Sequence, residues 1–326
     1  MAKPTNFSGG LAVNGAAVLP FGIPPGGNVY YLDPAHGSDS YDGSSPQSAF
    51  ATLATAYAAL TANQNDVLYY IAGASSITLS AAFTWAKSYT HFIGLCAPTR
   101  IGQRARIFQL STLTAASPLV TISASGCIFA NLYIFQGVND ATSLINVQVT
   151  GGRNYFENVH FAGGGHATQA VDGGASLALG GTQTCEENTF VRCTIGVDTV
   201  DAATGMRALA FNGTEAHRNE FRECTFRLRA GNAGACFIEL DTTAAAIDRD
   251  TVFDNCLFIN NSTSNDMDSA IVIPATAAGE PHLILMKDCL FHNVTKIDAS
   301  DRGMVFGNMN VITGADLSGV AKQLIT

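Results

Sequence analysis

The chain has 326 residues, 13% of them charged and 47% hydrophobic, and a formal net charge of −9. A charged fraction about half of the usual roughly 25% leaves a surface built from Ser, Thr, Asn, Gly and Ala. The acidic balance and the lack of any Lys/Arg cluster argue against binding a nucleic-acid backbone, which needs grouped cations to release counterions. No apolar run reaches the ~18 residues of a membrane span. The opening Met1-Ala-Lys-Pro-Thr-Asn6 lacks the apolar core of a secretory signal, so neither membrane association nor export is expected.

In chain order, residues 1–28 come first and carry Pro4, Pro20, Pro24 and Pro25 among several glycines. Proline fixes φ and removes a donor, so this stretch is predicted to be an extended arm. Asn6, Phe7, Leu11, Val13, Leu19 and Phe21 are the side chains it can offer to a partner surface. Val29-Tyr-Tyr-Leu32 then reads as a strand running into the turn-rich loop Asp33 to Gly43. Phe50, Leu53, Tyr57 and Leu60 recur at helical spacing behind Ser48, a start signal, which predicts a helix over 48–60. Asp66 to Ile71 and His91 to Leu95 look like further strands.

From residue 129 one segment returns six times: Phe129-Ala-Asn-Leu132-Tyr-Ile134, Phe156-Glu-Asn-Val159-His-Phe161, Phe190-Val-Arg-Cys193-Thr-Ile195, Phe221-Arg-Glu-Cys224-Thr-Phe226, Phe253-Asp-Asn-Cys256-Leu-Phe258 and Met286-Lys-Asp-Cys289-Leu-Phe291. Successive units start 27, 34, 31, 32 and 33 residues apart. Such a period marks a solenoid. Within a unit the fourth and sixth residues share parity and are apolar, while the first has the opposite parity, so the chain must bend between them. Asn131, Asn158, Asn255 and Asp288 sit at the bend and tolerate a left-handed backbone. Arg192 and Glu223 break that pattern.

A second apolar strand precedes each unit, at 119–122, 144–147, 177–179, 209–211, 237–240 and 271–273. Strands this short are stable only when stacked in parallel, which places like residues over one another. The expected core ladder therefore holds Phe161, Phe226, Phe258 and Phe291 in one column and Cys193, Cys224, Cys256 and Cys289 in another. Each buried Phe contributes roughly 1.5–3 kcal/mol. The eight cysteines form no C-x-x-C pair and are read as reduced, buried hydrophobes. An antiparallel sandwich with coincidental F-x-x-C-x-F runs is the alternative; it lacks a constant period and shows two-residue hairpin turns, which this sequence does not.

The run LDPAHGSDSYDGSSPQSAFATLATAYAAL, followed by DVLYYIAG and the repeated rungs, resembles the opening of right-handed β-helix proteins of the pectate-lyase-like superfamily. The resemblance implies an all-β, single-stranded right-handed parallel β-helix over residues 29–312, with a capping helix at 48–60, the arm before it and a tail or cap at 313–326. It implies little about activity, because that superfamily holds lyases, hydrolases, epimerases, tailspikes and inert virion proteins.

Enzymes of this kind place carboxylates on an outward face, either around calcium or as a pair about 5–9.5 Å apart. The outward position between the Cys and Phe columns reads Tyr133, His160, Thr194, Thr225, Leu257 and Leu290, with no carboxylate. Five residues past the Cys column stand Asp198, Arg229, Asn261 and Val294. Asp198 with Asp201, Asp266 with Asp268, and Asp298 with Asp301 read as solvated turn pairs. Glu239 and Asp241 share a strand face that Arg207 or Arg229 could approach. Asp39-Ser-Tyr-Asp42-Gly43 resembles half a calcium loop without its distal Glu. No catalytic residue, metal or cofactor is therefore expected.

The expected role is a bacteriophage virion structural protein, a capsid decoration or cement protein. It would be a homo-oligomer, a trimer, whose arm grips the major capsid protein or other virion proteins. A tailspike-like polysaccharide depolymerase and a non-catalytic glycan-binding module are the alternatives.

Overall fold

The computed structural model describes residues 27–181, 185–213, 216–240, 247, 249–273, 282–298 and 303–312, the last of these by backbone course alone. It also gives the backbone of two short antiparallel strands, Ala12–Val13 and Ala16–Ala17. Asn6, Phe7, Leu11, Leu19, Phe21 and the tail 313–326 lie outside the described residues, and of the arm side chains only Val13 falls on a described strand.

The chain is a right-handed parallel β-helix. Among the described residues the coil comprises an 18-stranded sheet and an 8-stranded sheet. The larger sheet consists of two stacks meeting at a corner. Its first stack includes Ile128–Ala130, Tyr155–Glu157, Thr189–Val191 and Glu220–Arg222. Its second includes Leu132–Phe135, His160–Ala162, Thr194–Ile195 and Thr225–Ala230. The smaller sheet, the third stack, includes Ile145–Val149, Ala175–Leu179, Arg207–Phe211 and Cys236–Leu240.

The repeat read from the sequence is the register of the coil. Phe129, Phe156, Phe190, Phe221, Phe253 and Met286 pair in one column. The rings of Phe156 and Phe190, and of Phe190 and Phe221, stack with centroids 4.6 Å apart. Ile134, Phe161, Ile195, Phe226, Phe258 and Phe291 form the second column. Its aromatic end closes to 4.5 Å and then 4.3 Å between centroids. Parallel in-register pairing puts like on like, and each stacked aromatic pair adds roughly 0.5–1.5 kcal/mol beyond its buried area.

All six corner residues adopt positive φ: Asn131 55°, Asn158 51°, Arg192 51°, Glu223 55°, Asn255 54° and Asp288 52°. Arg192 and Glu223, expected to interrupt the corner, do not. Both side chains are about half exposed, so packing places no demand on their identity and the rest of the coil imposes the bend.

The four ladder cysteines sit just inside this corner, and all eight cysteines are free thiols. Each ladder thiol donates to the carbonyl of the first-column Phe one coil back: Cys193 to Phe156 O (3.6 Å), Cys224 to Phe190 O (3.5 Å), Cys256 to Phe221 O (3.4 Å) and Cys289 to Phe253 O (3.5 Å). Burial pushes the Cys224 thiol well up, which keeps it a neutral donor.

The helix is shorter than the predicted 48–60. It runs Leu53–Ala59 with Thr52 as N-cap, and Ser48 instead closes a capping box with Ser45 around the 3-10 turn Pro46–Ser48. Pro46 and the Ser45–Ser48 exchange favour that separate turn. Lys87 supplies the far end, its Nζ donating to the carbonyls of Tyr57, Ala58 and Leu60 at 2.6–3.0 Å. Buried Phe50 anchors the preceding loop. Gly43 lies at φ +69° against its ring, where a Cβ would stand 2.1 Å from ring carbon.

Candidate functional site

The second stack's outward face is not open. Residues 96–104, joining strands Thr90–Leu95 and Ala105–Gln109, form a strap laid across the coils. Gly102 N–H donates to His160 Nδ1 (3.3 Å), and Thr194 Oγ1 donates to Arg100 O (2.9 Å). Arg100 Nη2 donates to Thr225 Oγ1 (2.8 Å), and Gln103 Nε2 donates to Asn158 O and Oδ1 (2.9 and 3.0 Å). His160, Thr194 and Thr225, read from the sequence as outward, are 5%, 1% and 4% exposed. Parity gave their direction correctly, but a loop from an earlier coil covers them.

His160 Nε2–H reaches Gly196 O at 2.9 Å, which leaves Nδ1 as the acceptor for Gly102. Burial pulls its pKa from the usual 6.5 down to about 4, against the Gly196 hydrogen bond; Arg227 adds to the depression and Asp198 opposes it. The ring is neutral at pH 7.

Beside this row the coil gathers Asp198, Arg227 and Asn261. Asp198 Oδ2 accepts from Arg227 Nε (3.1 Å), from Arg227 Nη2 and from Asn261 Nδ2. Partial burial alone would raise the Asp198 carboxyl, but the hydrogen bonds and charge of Arg227, helped by Asn261, hold it below the usual carboxylate range. It is an ionised anchor, poorly suited to donate a proton at neutral pH. The expected neighbours separate. Asp201 turns to Arg229 (2.6 Å), and Val294 belongs to the core of the third stack, paired with Met267.

The third stack's outward column reads Gln148, Ala178, Ala210, Glu239 and Val272. Its carboxylate is bound by Arg207 Nη1 at 2.5 Å, so of the two arginines considered from the sequence Arg207 is the partner of Glu239. Asp241 and Asp301 lie outside the described residues. Asp39 and Asp42 serve turns: Asp39 accepts from the backbones of Ala51 (3.0 Å) and Thr52 (2.9 Å), and Asp42 from Ser44 (3.0 Å). Among the described residues no group of three or more His, Cys, Asp or Glu could hold a metal ion, and no helix is long and apolar enough to cross a membrane.

Between the strap and the corner lies a groove of about 610 Å³ lined by Arg100, Asn131, Glu157, Asn158, Arg192 and Glu223, among others. Arg192 pairs with Glu157 and lies 3.9 Å from Glu223. Two arginines face two glutamates, so the lining is close to neutral while rich in donors and acceptors.

No protein-family model matches the sequence, and no curated protein matches it. Solved structures do. The pectate lyase Pel9A superposes with a TM-score of 0.57 at 14% identity over 87% of this chain and 68% of its own. The pectin methylesterase from Aspergillus niger gives 0.56 at 12% identity over 93% of both chains. PemA, a pectin methylesterase from Erwinia chrysanthemi, gives 0.53 at 17% identity over 91% of this chain and 92% of its own. The fold is of the pectate lyase and pectin methylesterase type. At these identities the likeness is one of architecture, and the chemistry of this β-helix must come from its own side chains.

One set of structurally critical residues was missed in the sequence. Asn154, Asn188 and Asn219 stand two residues before Phe156, Phe190 and Phe221 and are 0–2% exposed. Cys127 N–H donates to Asn154 Oδ1 (2.9 Å), Asn154 N–H to Asn188 Oδ1 (3.0 Å) and Asn188 N–H to Asn219 Oδ1 (3.0 Å). Their amide groups donate to Ala124 O, Gly151 O and Cys185 O at 2.9–3.1 Å. The signal was available as Asn-x-Phe, immediately upstream of the repeat.

Proposed function

We propose that this chain is a non-catalytic structural protein of a bacteriophage particle, a capsid decoration or cement subunit acting as a homotrimer. The observation that carries the reading is the state of the carboxylates on and beside the outward strand faces. Asp198, Asp201 and Glu239 are each held by an arginine of this same chain. Glycoside hydrolysis needs two carboxyl groups facing one bond, one of them able to carry a proton, and Asp198 is depressed rather than raised.

In this reading the arm 1–28 makes the lattice contact. Deleting it is expected to abolish co-sedimentation with phage capsids while leaving the thermal transition of the coil unchanged; retained binding would exclude the arm as the lattice contact. Catalysis is checked by incubating the purified protein with pectin and with bacterial capsular polysaccharide and measuring released sugars and methanol. No product is expected. Product formation lost in Asp198→Asn would overturn the non-catalytic reading.

A second reading, a glycan-binding module, is favoured by the groove beneath the strap. Its volume suits a mono- or disaccharide, and its mixed guanidinium, carboxylate and amide lining matches vicinal hydroxyls better than a charged ligand. Glycan-array binding without product, lost in Arg192→Ala, would support it.

A further inference from the structure

A permanent cover over a sheet face is ordinarily apolar, because buried polar groups are costly unless every one finds a partner. The strap at 96–104 is built the other way. Ile101, its bulky aliphatic residue, is 43% exposed, while its contacts with the coil run through His160, Thr194, Thr225 and Asn158. Gln103 is fully buried, yet its Oε1 finds no partner. The hydroxyls and imidazole of the row beneath are groups that water can also hydrogen-bond once the strap is lifted. Apart from Cys96 at its base, which packs against the core, such a strap is held by a few directional bonds more than by hydrophobic area.

We propose that the strap is a releasable cover over the His160–Thr194–Thr225 row, latched by the neutral imidazole of His160. The latch follows from the ring's two contacts. Nε2–H is committed to Gly196 O, so Nδ1 can accept from Gly102 N–H only while unprotonated. A second ring proton would point at the Gly102 N–H and set donor against donor. Several groups face the ring. The ring of Tyr133 lies 4.9 Å away in the adjacent coil. Arg227 disfavours protonation and Asp198 favours it from the C-terminal side. On the strap itself Arg100 is turned to Thr225. Asp198 is paired with Arg227 and hydrogen-bonded by Asn261, so little compensates a charged imidazole under the closed strap.

The sign of the pH effect follows. The pKa of His160 is depressed to about 4 under the strap, and lifting the strap would restore water to the ring and raise it towards the ordinary 6.5. The closed form is favoured above pH 6.5 and loses that advantage as pH falls towards 4. Linkage across this interval raises the opening equilibrium on the order of 100-fold between pH 7 and pH 4.

Hydrogen exchange on the full chain tests this, with each amide rate divided by its intrinsic rate at the same pH. Protection of Gly102 and its strap neighbours is expected to drop on the order of 100-fold from pH 7 to pH 4, while Phe190 and Phe226 amides stay protected. In His160→Gln, whose amide does not titrate, strap protection should be independent of pH. Arg100→Ala leaves the latch intact but removes the tip contact, so strap protection should fall at pH 7 and still titrate. Strap protection unchanged at pH 4 in the native chain, or a pH transition that survives in His160→Gln, would overturn the proposal. Should His160→Gln fail to fold, the native and Arg100→Ala profiles still decide it.

Discussion

The coil turns two kinds of corner with the same backbone conformation and different side-chain demands. At the corner between the first and second stacks, residues as unlike as Asn158, Arg192 and Glu223 all lie at φ 51–55°. At the corner entering the first stack, Arg153, Glu187 and Arg218 lie at φ 54–58°, and each is followed by a buried asparagine. The left-handed residue itself is tolerant at both, because it points outwards and the energy cost of the conformation is small beside that of the stacked core. What differs is the residue inside the bend. Inside the corner between the first and second stacks, the outer corner, the position reads Leu132, Val159, Cys193, Cys224, Cys256 and Cys289, all buried and small to medium in size. Inside the entry corner the backbone leaves donors and acceptors that no neighbouring strand satisfies, and an amide carrying both functions is required.

The largest expected difference is therefore between Asn188→Leu and any outer-corner replacement. Asn188→Leu leaves the Asn154 N–H and the Gly151 carbonyl without their partners. Each orphaned buried group costs about 1–3 kcal/mol, so a loss of about 3 kcal/mol is expected by equilibrium denaturation. A loss below about 1 kcal/mol would mean that water can enter the bend, and the contrast between corners would fail. The ladder already shows how it ends: Thr251 occupies the next coil fully buried, and its Oγ1 finds no partner.

Cys224→Val probes the inside of the outer corner. Val159 occupies the equivalent place one coil before Cys193, so the volume is tolerated, and the thiol's bonds to Phe190 O and Arg222 O are lost along with its contacts to the Cys193 and Cys256 thiols. A cost under about 1.5 kcal/mol is expected. A larger loss would show that the thiols are specific corner donors, and would move this position into the same class as the asparagines.

How much of the molecule was legible follows from the same physics. The six rungs from Phe129 onward were readable because their loops vary little and stacking forces like residues onto like. The column in fact continues towards the N-terminus through Phe92, Leu68 and Tyr30. There the spacings are 37, 24 and 38 residues and the residue types diverge, so no period shows. Asp39 and Asp42, which in the sequence resemble half a calcium loop, accept hydrogen bonds from the backbone of their own turns. The strap was invisible: Pro98 to Gln103 carries no signal that it crosses to coils ending at Thr225, a contact spanning 125 residues. The clustering of Asp198 with Arg227 and Asn261 is half legible, since the residue five past Cys224 is Arg229 and the arginine two residues earlier is the one that reaches the carboxylate.

The smallest expected effect is the sharpest test of tolerance at the left-handed position itself. Glu223 holds φ 55° with a side chain 55% exposed, and its contact with Arg192 is long at 3.9 Å. An exposed pair at that distance contributes little, while asparagine enters the left-handed region more readily than glutamate. Glu223→Asn should therefore be neutral to stabilising by about 0.5 kcal/mol, a rise of about 1–2 °C in Tm for a chain of this size. A fall in Tm would mean that the Glu157–Arg192–Glu223 chain of charges stabilises this edge of the coil, and that the outer corner, too, selects its side chains.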